Sequence, residues 1–94
     1  SVTDHSGRAL SLLLQDLNVR AIVVNIYGNM VSCLDIAKRL LNVWNEAERR
    51  IPVFVNFSGR DKMDANGLLQ DTGIIVCSSV EDAVGSAVAV TKEN

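Results

Sequence analysis

The histidine and cysteines of this sequence, the side chains best suited to zinc binding or to a Cys/His nucleophile, are His5, Cys33 and Cys77. The cysteines are far apart and form no CxxC pair, and the histidine lies close to the first residue. A zinc site or a Cys/His nucleophile needs further ligands or a paired base, and this pattern supplies neither. Two cysteines in an apolar chain fit small buried hydrophobes in a reducing compartment. Asp61, Asp64, Asp71, Glu81 and Asp82 form no evident acid/base pair, and helix capping accounts for several of them. No catalytic residue and no metal ligand is therefore expected.

What remains is chemistry from the backbone. The stretch "NIYGNMVSCLD", residues 25–35, closes an apolar run on Gly28 and enters helical spacing within about one turn. In parallel α/β proteins ligands sit where the carboxyl end of a strand turns into a helix. Gly28 allows close approach to the backbone, and the amides from Asn29 to Ser32 would turn the positive end of a helix dipole toward an anion. The candidate site is Gly28, Asn29, Met30, Val31 and Ser32. It has no second glycine and no lysine, unlike a P-loop or GxGxxG turn. The same residues also suit a purely structural turn, in which Gly28 supplies a positive φ and Ser32 a cap.

The surrounding pattern positions this turn. Leu10, Leu13, Leu14 and Leu17 predict an apolar stripe on a first helix ending near Asn18. Residues 21–27 are apolar at nearly every position, which predicts a parallel strand covered on both faces. Cys33, Ile36, Ala37, Leu40, Val43, Trp44 and Ala47 return to helical spacing, with a capping box of Ser32 and Asp35 at the start and Arg49 and Arg50 at the end. A second strand is predicted over 51–57, with Pro52 at its beginning. A weaker helix follows from Asp61, carrying Met63, Leu68 and Leu69, with Gly73 as its stop. Residues 74–77 predict a third strand, and Ser79 with Asp82 caps a last helix through Ala83, Val84, Ala87, Val88 and Val90. Met63 and Trp44 are expected in the core. Asn25 and Asn56, inside apolar strands, are expected to find amide partners.

This α-β-α-β-α-β-α order predicts a parallel sheet with helices on both faces and right-handed crossovers. The three strand ends, at 27–29, 57–59 and 77–79, should lie along one edge. With 94 residues, 48% hydrophobic and 21% charged, the chain fits a single domain spanning 1–94. A net charge of −2 with scattered Lys and Arg gives no support to nucleic-acid or membrane-surface binding. No apolar run reaches the roughly 18 residues of a membrane span, and the first residues lack the pattern of a signal peptide.

The stretch "DLNVRAIVVNIYGNMVSCLDIAKRLLNVWNEAERRIPVFVNFSG", continued in "LLQDTGIIVCSSVEDAVGSAV", resembles the carboxyl-terminal domain of the succinyl-CoA synthetase β subunit, within the ADP- or GDP-forming acyl-CoA synthetases. The resemblance implies a flavodoxin-like, three-layer α/β/α fold with a short sheet of about three strands, the family's first strand being absent. It implies a piece of a longer chain, an ATP-grasp β subunit, in a tricarboxylic-acid-cycle ligase of the cytoplasm or mitochondrial matrix. CoA, Mg and ATP or GTP are implied for the complete enzyme, with none bound by this chain alone. The implied partner is an α subunit that carries a phosphohistidine, and a helix start facing that phosphate falls on Gly28, Asn29, Met30, Val31 and Ser32. Two departures stand out: the family's second turn glycine is Asn29 here, and its R-L-E-G is Asn56-Phe57-Ser58-Gly59. The resemblance also leaves room for a stand-alone, non-catalytic interaction module derived from that domain, one that could self-associate through an open sheet edge.

Overall fold

The computed structural model describes residues 1–92; residues 93 and 94, at the end of the expected domain span, lie outside the described residues. The elements follow the expected alternation: α1 Val2–Gln15, β1 Ile22–Gly28, α2 Cys33–Glu46, β2 Val53–Gly59, α3 Lys62–Leu69, β3 Ile75–Val76 and α4 Val80–Lys92. The three strands form one parallel sheet in the order β1-β2-β3. The register pairs Ile22 with Val53 and ends with Gly28 opposite Gly59.

Side chains alternate across a strand, so β2 feeds two separate cores. Val53, Val55 and Phe57 point into the larger one, with Ile36, Ala37, Leu40 and Trp44 of α2 and Ala65 and Leu69 of α3. Phe54 points the other way, against Ala83 and Ala87 of α4. The result is three layers: α2 and α3 on one face, with α1 packed on α2, and α4 on the other. Burying each Leu, Ile or Phe here contributes roughly 1.5–3 kcal/mol, which is why the large core outweighs the weak helix propensity of the Gly67-containing α3.

Several apolar positions lie elsewhere than their spacing predicts. β1 is not covered on both faces: Ile22 is buried, while Val23, Asn25 and Tyr27 are exposed, Tyr27 at 75%. The cause is topological, since β1 is an edge strand and α4 packs mainly on β2. In α1 only Leu10 and Leu14 of the leucine stripe are buried; Leu13 is 40% exposed, and Leu17 lies beyond the helix end at 78%. Met63 is 76% exposed on the outer side of α3, so it is not core, and Val84 and Val88 of α4 are exposed as well. β3 is only two residues long. Gly73 does not stop α3, which ends at Leu69; it turns the chain at φ +98° beside the Trp44 ring.

The two adjacent arginines close two different helices. Arg49 donates to the carbonyls of Leu14, Asp16 and Val19, at 3.1, 3.2 and 3.4 Å, and so finishes α1. Arg50 donates to Trp44 and Asn45 at 2.9 and 3.2 Å and finishes α2. Trp44 is buried as expected, and its indole Nε1–H donates to the Thr72 carbonyl at 3.0 Å. Asn56 donates to Asn25 across the sheet at 3.1 Å, the mutual satisfaction expected of amides within strands.

Candidate functional site

The Gly28 turn lies at the carboxyl edge of the sheet, where β1 gives way to α2. Its glycine is required for a reason other than a positive φ, since Gly59 and Gly73 are the glycines with positive φ among the described residues. A β-carbon on Gly28 would lie 2.6 Å from the Cys33 sulfur and 2.7 Å from the Arg60 carbonyl oxygen. The position is glycine because two other segments press against it. Asn29 likewise needs no left-handed backbone; the non-glycine residues with positive φ among the described residues are Asp61 and Asp71.

Three bonds lace the turn to the end of β2 and the residue that follows it. The Arg60 amide donates to the Gly28 carbonyl at 2.8 Å, and the Cys33 amide donates to the Arg60 carbonyl at 3.0 Å. The Cys33 thiol points to the Ser58 carbonyl at 3.4 Å. Only two of the three strand ends therefore meet closely. β3 leaves the sheet after Val76, paired with Val55, and its Cys77 amide donates to Val55 at 2.8 Å, set back from the Gly28–Gly59 rung.

The five candidate residues are contiguous but differently disposed. Met30 is 89% exposed at the tip, Asn29 is exposed, and Val31 leans on the large core. Ser32 is buried and is the N-cap of α2, its hydroxyl accepting from the Leu34 amide at 3.1 Å. The bond reaches the second helical residue rather than Asp35, so the predicted capping box is not formed; Asp35 is exposed in the first turn. Helix starts leave four amides without helical partners. Here Cys33 and Leu34 are already engaged, whereas none of the turn and loop hydrogen bonds among the described residues uses the amides of Met30, Val31 or Ser32.

A further residue completes the site. The Ser32 hydroxyl donates to the carboxylate of Asp61, and the Arg60 guanidinium stands 3.7 Å from the same oxygen. Asp61 sits 29 positions away in sequence, so no local pattern announces it. Its nearest sequence signal is its own place at the start of α3, where an aspartate is ordinarily read as a cap for that helix. The site therefore combines open amides and a positive helix end with one solvent-exposed carboxylate. Among the described residues no cluster of His, Cys, Asp or Glu could hold a metal.

A model of the CoA-ligase family matches residues 3–90, nearly the full length of the chain. The chain belongs to the CoA-ligase family. Its relatives include the mitochondrial β subunit of GDP-forming succinate–CoA ligase from Sus scrofa, 38% identical over 89 residues, covering 92% of this chain and 21% of that protein. The β subunit of ADP-forming succinate–CoA ligase from Actinobacillus succinogenes is 36% identical, with 89% of this chain and 22% of that protein covered. The chain thus spans about a fifth of the length of these relatives. The flavodoxin-like, three-layer CoA-ligase architecture is shared with the crystal structure of PH0766 from Pyrococcus horikoshii OT3, at a TM-score of 0.81 and 24% identity, covering 97% of this chain and 22% of that one. No helix among the described residues is long and apolar enough to cross a membrane.

Proposed function

We propose that this CoA-ligase domain acts as the carboxyl-terminal domain of a succinyl-CoA synthetase β-like acyl-CoA ligase. In this reading residues 1–94 form one domain of a longer, ATP-grasp-containing chain, and the domain forms no thioester by itself. It contributes a helix start that faces a transferring phosphate, together with a surface for an α subunit. CoA, Mg and ATP or GTP belong to the complete enzyme, in the cytoplasm or the mitochondrial matrix, and the reaction is that of the tricarboxylic acid cycle.

The observation that supports the reading most is the set of unengaged amides at Met30, Val31 and Ser32, at the amino end of the 14-residue α2. Such amides stabilise charge on a phosphate without acting as acid or base. The lacing of the turn to Ser58 and Arg60 holds them in place before any ligand arrives. The test is hydrogen exchange at Asn29 to Ser32 in the complex with a cognate α subunit, with and without phosphate or the acid substrate. Protection of these amides by millimolar anion is the expected result, and unchanged exchange would overturn the reading.

A second reading is favoured by the Asp61 carboxylate, which already lies at the helix start, and by the exposed β1 edge. In it the domain is a non-catalytic interaction module that self-associates, one β1 edge pairing with another. Sedimentation decides between the two: a monomer at high concentration excludes the module, whereas a reversible dimer dispersed by Val23→Lys supports it.

A further inference from the structure

We infer that two copies of this chain join their β1 edges antiparallel, in a single register, about a two-fold axis at Asn25. The inference rests on the self-associating reading and fixes the arrangement that reading leaves open. β1 lies at one side of the sheet, and two contacts with known partners bracket its ladder to β2. The Ile22 amide donates to the Pro52 carbonyl at 2.9 Å, and the Gly28 carbonyl accepts the Arg60 amide at 2.8 Å. In a parallel ladder alternate residues turn both N–H and C=O toward a given neighbour. Ile22, Val24, Ile26 and Gly28 therefore serve β2. Val23, Asn25 and Tyr27 turn their backbone groups to the open side, where no hydrogen bond among the described residues uses them.

Nothing guards this edge. Open strands are ordinarily blunted by lysine, proline, an inward charge or a bulge. Residues 22–28 carry no charge and no proline, and the pairing with β2 runs unbroken from Ile22 to Gly28. The side chains of Val23, Asn25 and Tyr27 are exposed on the face away from the large core.

The open row is complementary to itself. In an antiparallel pair, residues whose N–H and C=O both face the neighbour stand opposite each other and exchange both bonds. A two-fold at Asn25 sets Asn25 opposite Asn25, and each Val23 opposite the second copy's Tyr27. Every outward amide then meets an outward carbonyl, so partial charges complement along the strand and no formal charge faces its own copy. Tyr27 gains a β-branched cross-strand neighbour, a favourable pair that covers apolar surface exposed in the single chain. A slip by one residue sets outward groups against groups already bonded to β2. A slip by two, in either direction, leaves Val23 or Tyr27 without a partner inside the strand.

The experiment is disulfide trapping with oxidised glutathione, in a Cys77→Ser background where the remaining Cys33 is buried. Opposed residues of this kind have Cα atoms about 5.5 Å apart, inside the roughly 4.4–6.8 Å that a disulfide spans. Asn25→Cys is expected to close on its own copy. Val23→Cys mixed with Tyr27→Cys is expected to cross-link about tenfold faster than either variant alone, the dimer raising the local thiol concentration. The mixed pair leaves Asn25 and its bond to Asn56 in place, so it stands even if Asn25→Cys misfolds. Preferential closure of Val23→Cys or Tyr27→Cys on itself would overturn the register and leave self-association intact. A chain that sediments as a monomer and cross-links no faster than its urea-unfolded form would overturn both. Slow exchange of the Val23, Asn25 and Tyr27 amides in a monomeric longer chain would give the edge to another strand of that chain and overturn the second copy.

Discussion

Gly28 and Gly59 stand opposite each other at the last rung of the β1–β2 ladder, so close that a β-carbon on Gly59 would fall 2.1 Å from the Gly28 carbonyl oxygen. That oxygen accepts the Arg60 amide one residue on. The Gly59 backbone, at φ +92°, is also one that side chains rarely adopt. Gly59→Ala combines strain with a clash against backbone that cannot yield, and is expected to cost roughly 3 kcal/mol or more. Urea unfolding followed by circular dichroism measures the loss. Exchange of the Arg60 and Cys33 amides should quicken in the same variant.

Gly67 and Gly85 are the converse case. Both are helical, and a β-carbon at either would meet nothing within 4 Å. Gly67→Ala and Gly85→Ala should each raise stability by about 0.5–1 kcal/mol, because alanine restricts the unfolded chain and suits a helix interior. A lower urea midpoint for either would contradict this account.

Arg49 is expected to matter beyond its charge. Its guanidinium serves the Leu14, Asp16 and Val19 carbonyls. Arg49→Gln should cost about 2 kcal/mol, since bonds to a charged donor are worth more than neutral ones. Arg49→Lys should recover only part of this, as one ammonium cannot reach three carbonyls in a fixed fork. The signature is local: hydrogen exchange in the last turn of α1 rises while the α2 interior keeps its protection.

Cys77 gives a pH dependence. Burial first, and the neighbouring Asp82 carboxylate second, push its thiol above the ordinary range. The folded state keeps this proton to higher pH than the unfolded chain does. The stability tied to it is fully present below the ordinary thiol pKa and is lost as pH rises through the raised one. Alkylation of Cys77 should accordingly lag behind that of a free thiol at mildly alkaline pH, with Cys33, fully buried, slower still. Asp82→Asn should hasten Cys77 alkylation by removing the nearby negative charge.

Local chemistry made most of the architecture legible. Ser32 before Cys33 and Ser79 before Val80 mark helix starts within one turn, and the Ser79 hydroxyl does accept the Asp82 amide at 3.0 Å. The apolar runs located all three strands to within two residues at either end. Coverage was not local. Whether Val23 and Tyr27 meet a helix depends on where α4 comes to rest, and Leu13 or Met63 is apolar at helical spacing whether or not a neighbour exists. The turn at Gly28 was legible as glycine followed by a helix start, but the cause of that glycine lies in Arg60 and Cys33. Asp61 was hidden for the same reason, since its partner is brought to it by the β2 register rather than by sequence distance.

The paired arginines between α2 and β2 have a consequence for how this sequence can vary. Neighbouring residues point to different helices, so a single inserted or deleted residue between Glu46 and Val53 would misalign both guanidiniums with their carbonyls at once. Surface loops ordinarily tolerate such changes in length at small cost. This one should not: its length is fixed by two docking points rather than by the span it bridges, and viable insertions should gather in other connections of the chain.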